Sequence, residues 1–310
     1  MRQGLVSLFC LVVGTTAAFS QETPWARYIA EGRKAYEQGR FTEAEKNLLA
    51  ALKEAEGFGP EDPRLATSLN NLAALYQTQG KYAEAEPLYK RSLAIVEKGL
   101  GPEHPDVAGI LDNLAGLYDT QGKYAEAGPL YKRSLAIREK VLGPEHPDVA
   151  GILNNLAGLY QTQGKYAEAD PLYKRSLAIV EKTLGPEHPY VAASLNDLAM
   201  LYGAQGKNAE AEPLYKRSLA IVEKTLGQEH PYVAASLNNL AELYRTQAKY
   251  AEAEPLYKRS LAILEKTLGP EHPDVATTLE NFADLLRKTN RPTEAAEMEA
   301  RAKAIRAKRR

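Results

Sequence analysis

Five histidines stand at positions 104, 146, 188, 230 and 272, each 42 residues from the next. Imidazoles at equal spacing could form a ladder of metal ligands or a row of general bases. All five belong to one phrase, Glu-His-Pro followed by Asp or Tyr and then Val-Ala. Repeats stacked about 10 Å apart hold such imidazoles too far from one another to share an ion that needs ligands near 2 Å. Each histidine also precedes a proline suited to the first position of a helix, where capping or loop packing is explanation enough. The tyrosines follow the same rule. Of 18, 14 occupy positions 76, 82 and 89 or their equivalents one or more periods away. A tyrosine at a helix contact supplies apolar area while its hydroxyl reaches a polar neighbour. The lone cysteine is Cys10, and the chain has no glycine-rich phosphate loop. Paired carboxylates recur with the period as surface residues. A catalytic constellation should be unique, whereas a residue repeated at every period is structural, so no enzyme, metal site or cofactor is expected.

The elements that position these residues are helices. The unit NLAALYQTQGKYAEAEPLYKRSLAIVEK recurs in register, and degenerate copies precede and follow the five full ones. Seven repeats result, at about 24–58, 63–99, 105–141, 147–183, 189–225, 231–267 and 273–308. In the first half of a unit, Leu65, Leu69, Leu72 and Tyr76 fall on one narrow helical arc, with Asp62 and Pro63 as cap and N1 residue. Gly80, Gly122, Gly164 and Gly206 end that helix in the left-handed conformation, and Asn290 stands in for this glycine in the last repeat. Tyr82, Ala85, Tyr89, Ser92 and Val96 mark a second helix, with Pro87 early enough to kink rather than break it. Leu-Gly-Pro closes the unit. One hairpin cannot bury its apolar stripe alone, but stacked neighbours can. The expected fold is all-α, an α-solenoid of seven helix-turn-helix repeats filling residues 21–310 as a single domain.

Residues 1–20 read as a signal peptide. Arg2 supplies a positive n-region, Leu5 to Val13 is apolar apart from Ser7, and Ala18 and Ser20 suit cleavage before Gln21. The stretch is shorter than the roughly 20 residues of a spanning helix. Export to the periplasm or outside the cell is expected, leaving a mature chain with no cysteine and no transmembrane segment. With 39 Lys plus Arg against 40 Asp plus Glu, the net charge of −1 gives no global reason to expect nucleic acid or an anionic membrane as partner.

Leu72, Ala73, Tyr76, Gly80, Tyr82, Ala85, Tyr89 and Leu93 fall at the signature spacings of tetratricopeptide repeats, and the array resembles that family. The 42-residue period and the phrase LGPEHPDVA, followed by LNNLA and LY, more narrowly resemble kinesin light chain repeats and their bacterial relatives. The resemblance covers about residues 24–308 and implies a right-handed superhelix whose first helices line a concave groove for an extended peptide or partner helix. Glu97 stands where the family usually has proline, which implies a longer second helix. No counterpart of the kinesin light chain coiled coil precedes the repeats, so a motor-cargo role is not implied.

On the face opposite the buried arc lie Thr67, Asn70, Ala74 and Gln77. Their counterparts are Asp112, Gly116 and Asp119, then Asn154, Gly158 and Gln161, then Asn196, Met200 and Gly203, followed by Asn238, Glu242 and Arg245, and finally Glu280, Asp284 and Arg287. Amides both donate and accept, so this ladder suits the backbone of an extended protein segment. Variation at Met200, Glu242, Arg245 and Arg287 points to the C-terminal half for selectivity. The expected function is a non-enzymatic protein- or peptide-binding scaffold. The alternatives are a self-assembling structural protein and an adaptor docking to an anionic surface through the basic tail, Arg301 to Arg310.

Overall fold

The computed structural model describes residues 23–308. The signal peptide expected at residues 1–20, with Cys10, and the last two arginines of the tail lie outside the described residues. Among the described residues there are α-helices and no strands. They are α1 (Pro24–Glu37), α2 (Phe41–Glu56), α3 (Pro63–Thr78), α4 (Tyr82–Leu100), α5 (Pro105–Thr120), α6 (Tyr124–Leu142), α7 (Pro147–Thr162), α8 (Tyr166–Leu184), α9 (Pro189–Ala204), α10 (Asn208–Leu226), α11 (Pro231–Thr246), α12 (Tyr250–Leu268), α13 (Pro273–Lys288) and α14 (Pro292–Ala307). They form two compact units divided between Gln163 and Gly164, the first holding α1–α7 and the second α8–α14. No helix among the described residues is long and apolar enough to cross a membrane.

Within the first unit, α1 packs on α2, α3 on α4 and α5 on α6, and each pair stacks on the helix that follows. Within the second, α9 with α10, α11 with α12 and α13 with α14 do the same. First helices also touch one another, α1–α3–α5–α7 in one unit and α9–α11–α13 in the other. The full second helices run 19 residues, three more than the first helices, as expected from Glu97 in place of proline. They continue through Pro87 and its equivalents.

The helix ends show what the repeated residues do. In α5, α7, α9, α11 and α13, the histidine before the N1 proline is the N-cap. Its Nδ1 accepts the backbone N–H two residues on, at 3.1–3.3 Å. This geometry requires the neutral tautomer with its proton on Nε2. Each imidazole is thereby spent on a helix terminus. At the other end Gly80 adopts φ +76°, while its N–H donates to the Gln77 carbonyl and the Lys81 N–H donates to the Tyr76 carbonyl. This pair of bonds satisfies carbonyls the helix leaves open. Asn290 takes the same conformation at φ +58°, as the sequence predicts, and Ala248 takes it at φ +57° without glycine's freedom. After the second helices, Gly101 and its four equivalents lie near φ +90° and ψ +155°, a region open essentially to glycine alone.

Leu65, Leu69 and Leu72 are buried as the helical phase predicts. The serines of the second helices clamp each hairpin, since Ser92, Ser134, Ser218 and Ser260 donate to the carbonyls of Ala66, Ala108, Ala192 and Ala234 at 2.7–2.9 Å. Tyr89 and its equivalents are buried and Tyr89 donates its hydroxyl to Gln77 Oε1 at 3.0 Å. Burial drives the phenol of Tyr89 well above its ordinary pKa, so it stays a donor. The outer surface carries ion pairs at the same period. Lys90, Lys174, Lys216 and Lys258 pair with the acid four residues earlier. Arg133, Arg217, Arg259 and Arg301 pair with Glu97, Glu181, Glu223 and Glu265 of the preceding repeat at 2.5–2.6 Å. The Lys-Arg stripe is therefore internally compensated. In the described part of the tail, Arg306 pairs with Glu280 and Lys308 with Glu271.

Candidate functional site

Alignment of first helices brings the amide positions of successive repeats together within each unit. At four repeat boundaries the asparagine that follows a ladder position reaches back to the preceding repeat. Asn113 donates to Asn70 Oδ1 at 3.1 Å and Asn155 to Asp112 Oδ1 at 3.2 Å in the first unit. In the second unit Asn239 donates to Asn196 at 2.8 Å and Asn281 to Asn238 at 3.2 Å. Asn70, Asn154, Asn196 and Asn238 are half-buried rather than freely solvated. The oxygens of Asn70, Asp112, Asn196 and Asn238 thus bind repeat to repeat.

The charged positions are also engaged. Gln77 accepts from Tyr89, and Met200 Sδ accepts from Asn196 Nδ2 at 3.5 Å. Arg245 forms a two-pronged pair with Glu242, at 2.8 Å from Nε and 2.5 Å from Nη2, and the carboxylate holds its guanidinium above its ordinary pKa. Glu242 also accepts from the Tyr257 hydroxyl at 3.0 Å. Arg287 pairs with Glu299 at 2.5 Å, an ion pair in place of the Tyr–Gln bond of the second repeat. Asp119 and Gln161 are half-buried on the same face. Small residues keep this face open: a Cβ at Gly151 would meet nothing within 4 Å, and one at Gly116 would lie 3.6 Å from the Tyr131 hydroxyl.

Asp112 stands apart. Its side chain is buried, where Asn70, Asn154, Asn196 and Asn238 are half-buried amides. Burial pushes its carboxyl up to about 6, against the opposing pull of Arg138 and the hydrogen bond from Asn155. Arg138 is itself only 6% exposed, and its Nη1 lies 3.3 Å from Asp148 Oδ2. It occupies the place of Val96, Val180, Val222 and Leu264 in other repeats. Beside it, in the first unit, lies a cavity of about 250 Å³ between α1, α3, α5 and the ends of α4 and α6. The sequence reading missed this cluster. Its signal was present in the comparison of repeats, as an arginine at a position that is otherwise aliphatic.

A tetratricopeptide repeat family model matches residues 34–98, 66–140, 106–182, 148–224, 198–266 and 232–308. Among solved structures, the chain is similar to nearly identical TPR-like repeats assigned to a kinesin light chain of Podosopora anserina. The two are 37% identical over 66% of this chain and 97% of that one, with a TM-score of 0.59. BtubC (BKLC) from P. vanneervenii is 27% identical over 80% of this chain and 93% of that one, with a TM-score of 0.60. A tetratricopeptide repeat protein from Parabacteroides merdae shares the fold at 22% identity, covering 91% of this chain and 93% of that one, with a TM-score of 0.60. No curated protein matches the chain.

Proposed function

The chain belongs to the tetratricopeptide repeat family, with repeats similar to those of kinesin light chains, and from that premise we propose that it is a non-enzymatic scaffold binding an extended segment of a partner protein along its first helices. The observation that carries this reading is the side-by-side alignment of first helices within each unit, presenting amides and small residues at one-repeat intervals. An extended backbone offers donors and acceptors at regular spacing, and such a face can meet several of them at once. Contacts shared over repeats add as linked weak sites do, so affinity rises with the number of repeats engaged. The mutual pairing of Glu242 with Arg245 and of Arg287 with Glu299 favours a ligand that is read by shape and hydrogen bonding at these positions. Docking to an anionic surface through the tail is the weaker reading, because Arg301, Arg306 and Lys308 each already hold a carboxylate. With residues 1–20 read as a signal peptide, the partner we propose is one met outside the cytoplasm.

The test is affinity capture from an exported-compartment extract with the native protein and with Asn154→Ala plus Asn196→Ala, one ladder position in each unit. Circular dichroism and thermal melting establish that the variant keeps its helices. The native protein should retain partners that the folded variant loses. Recovery of the same partners by both proteins removes the first-helix face from the account.

A further inference from the structure

The repeats serve as an internal standard against which each position can be compared. The fifth and sixth repeats open their first helices with the same eight residues, PYVAASLN, at 189–196 and 231–238. Every other first helix holds at least one charged residue in this stretch, most often the aspartate seen as Asp106, Asp148 and Asp274. In α9 and α11 tyrosine takes that place, so a charge is lost and an aromatic ring gained on two helices that touch. Tyr190 and Tyr232 are 36% and 50% exposed, and among the described residues no other tyrosine is exposed. Each ring lies against the histidine that caps its helix. The centroids are 5.1 Å apart at 49° for His188 and Tyr190, and 5.0 Å apart at 48° for His230 and Tyr232. Two rings thus stand alike, one repeat apart, with no charged side chain in the turns that carry them.

Resting on the groove reading above, we propose that Tyr190 and Tyr232 receive a proline-rich stretch of the partner segment in the polyproline II conformation, with prolines three residues apart stacked on the two rings. The spacing selects this occupant. A polyproline II helix rises 3.1 Å per residue with three residues per turn, so side chains on one face recur at about 9.3 Å. Stacked repeats set equivalent residues about 10 Å apart. In a β-strand, residues about 10 Å apart are three positions apart and point to opposite faces. The chemistry agrees. Proline carries no charge and loses no side-chain freedom on burial, and aromatic-lined surfaces are the usual seat of such helices. The uncharged octets leave no ion for the ligand to satisfy, so their complement is itself uncharged. Ala193 and Ala235, one turn beyond the rings, keep the neighbouring surface shallow. The exposed tyrosine hydroxyls can donate to carbonyls, which a polyproline II helix leaves without internal bonds.

The experiment titrates the full chain into two fluorescein-labelled peptides of equal length, (Pro-Pro-Ala)4 and (Pro-Ala)6, and follows anisotropy. The first repeats proline every three residues along one face, whereas the second does so only every six. The first should bind at least about tenfold more tightly. Tyr190→Asp and Tyr232→Asp should each weaken its binding about tenfold, and Tyr190→Phe and Tyr232→Phe by no more than about threefold, because the ring is the main contact. Aspartate is the residue that α5, α7 and α13 hold at this place, so these variants keep the helix, and circular dichroism checks it. Equal affinity for the two peptides, no binding of (Pro-Pro-Ala)4, or indifference to the aspartate variants overturns the proposal. So does tighter binding of a β-1,4-linked glucose hexamer, since sugars also stack on exposed rings. None of these results touches the groove reading, which falls only if Asn154→Ala plus Asn196→Ala still captures the partners of the native protein.

Discussion

Replacing Asp112 by asparagine restores the residue that four other repeats carry at this position, and its effect on stability should depend on pH in a defined way. The carboxyl is fully enclosed, and burial moves it from 3.8 in the unfolded chain to about 6 in the native one. The native protein therefore binds more protons than the unfolded chain between those values. Stability from this group is present below the unfolded value and is lost as pH rises through the native one. Between pH 4 and pH 7.5 such a shift corresponds to about 2 kcal/mol, at about 1.4 kcal/mol for each pH unit and with the unfolded carboxyl already half ionised at pH 4. Asparagine does not titrate, and its oxygen can take the bond from Asn155 Nδ2, as Asn70, Asn196 and Asn238 do from their neighbours. Arg138 keeps Asp148, and the pull it exerts on the Asp112 carboxylate is already contained in the native value. The stability difference, Asp112→Asn minus native, should thus rise by about 2 kcal/mol from pH 4 to pH 7.5. Urea unfolding followed by Trp25 fluorescence reads it, because the only tryptophan lies in the first unit and donates to Ser68 Oγ at 2.9 Å. A difference that is flat with pH, or that falls, refutes the burial of an ionisable carboxylate as its cause.

Three further outcomes follow from the helix ends and the hairpin clamp. Ala248→Gly should stabilise the second unit by about 1 kcal/mol, because alanine there holds φ +57°; a neutral or destabilising result in chemical denaturation counts against that strain. His188→Ala should cost about 1 kcal/mol through loss of the N-cap to the Tyr190 N–H, while His188→Asn should restore most of it. If alanine and asparagine behave alike in thermal melts, the histidine acts by packing instead. Ser134→Ala should cost about 1–2 kcal/mol by leaving the Ala108 carbonyl without its side-chain donor, seen as faster amide exchange at the α5–α6 contact; unchanged exchange would remove the clamp.

Much of the fold was legible because the period multiplies every local signal. One Gly80 is a weak helix stop, but four glycines and an asparagine at matching positions, all with positive φ, are decisive. The histidines were equally readable as caps, since a residue before an N1 proline has a backbone donor to satisfy. The ladder positions were readable from helical phase, but the bonds they make were not. Phase gives the direction of Asn70; it does not reveal that Asn113 reaches its oxygen from the next repeat. The pairing of Arg245 with Glu242 is visible in the sequence as a three-residue spacing, whereas that of Arg287 with Glu299 depends on a hairpin turn. The Asp112–Arg138 cluster was the least accessible. Its members are 26 residues apart on different helices, and a periodic reading emphasises what repeats over what does not.

The most direct test of the scaffold account is photo-crosslinking in exported-compartment extract with benzoylphenylalanine placed singly at chosen sites. Gln161 and Met200 represent the first-helix face, and Lys174 and Lys216 the exposed surface of the second helices. The account predicts covalent partner adducts from Gln161 and Met200 and none above background from Lys174 and Lys216. Adducts confined to Lys174 and Lys216, or equal from all four sites, would contradict it.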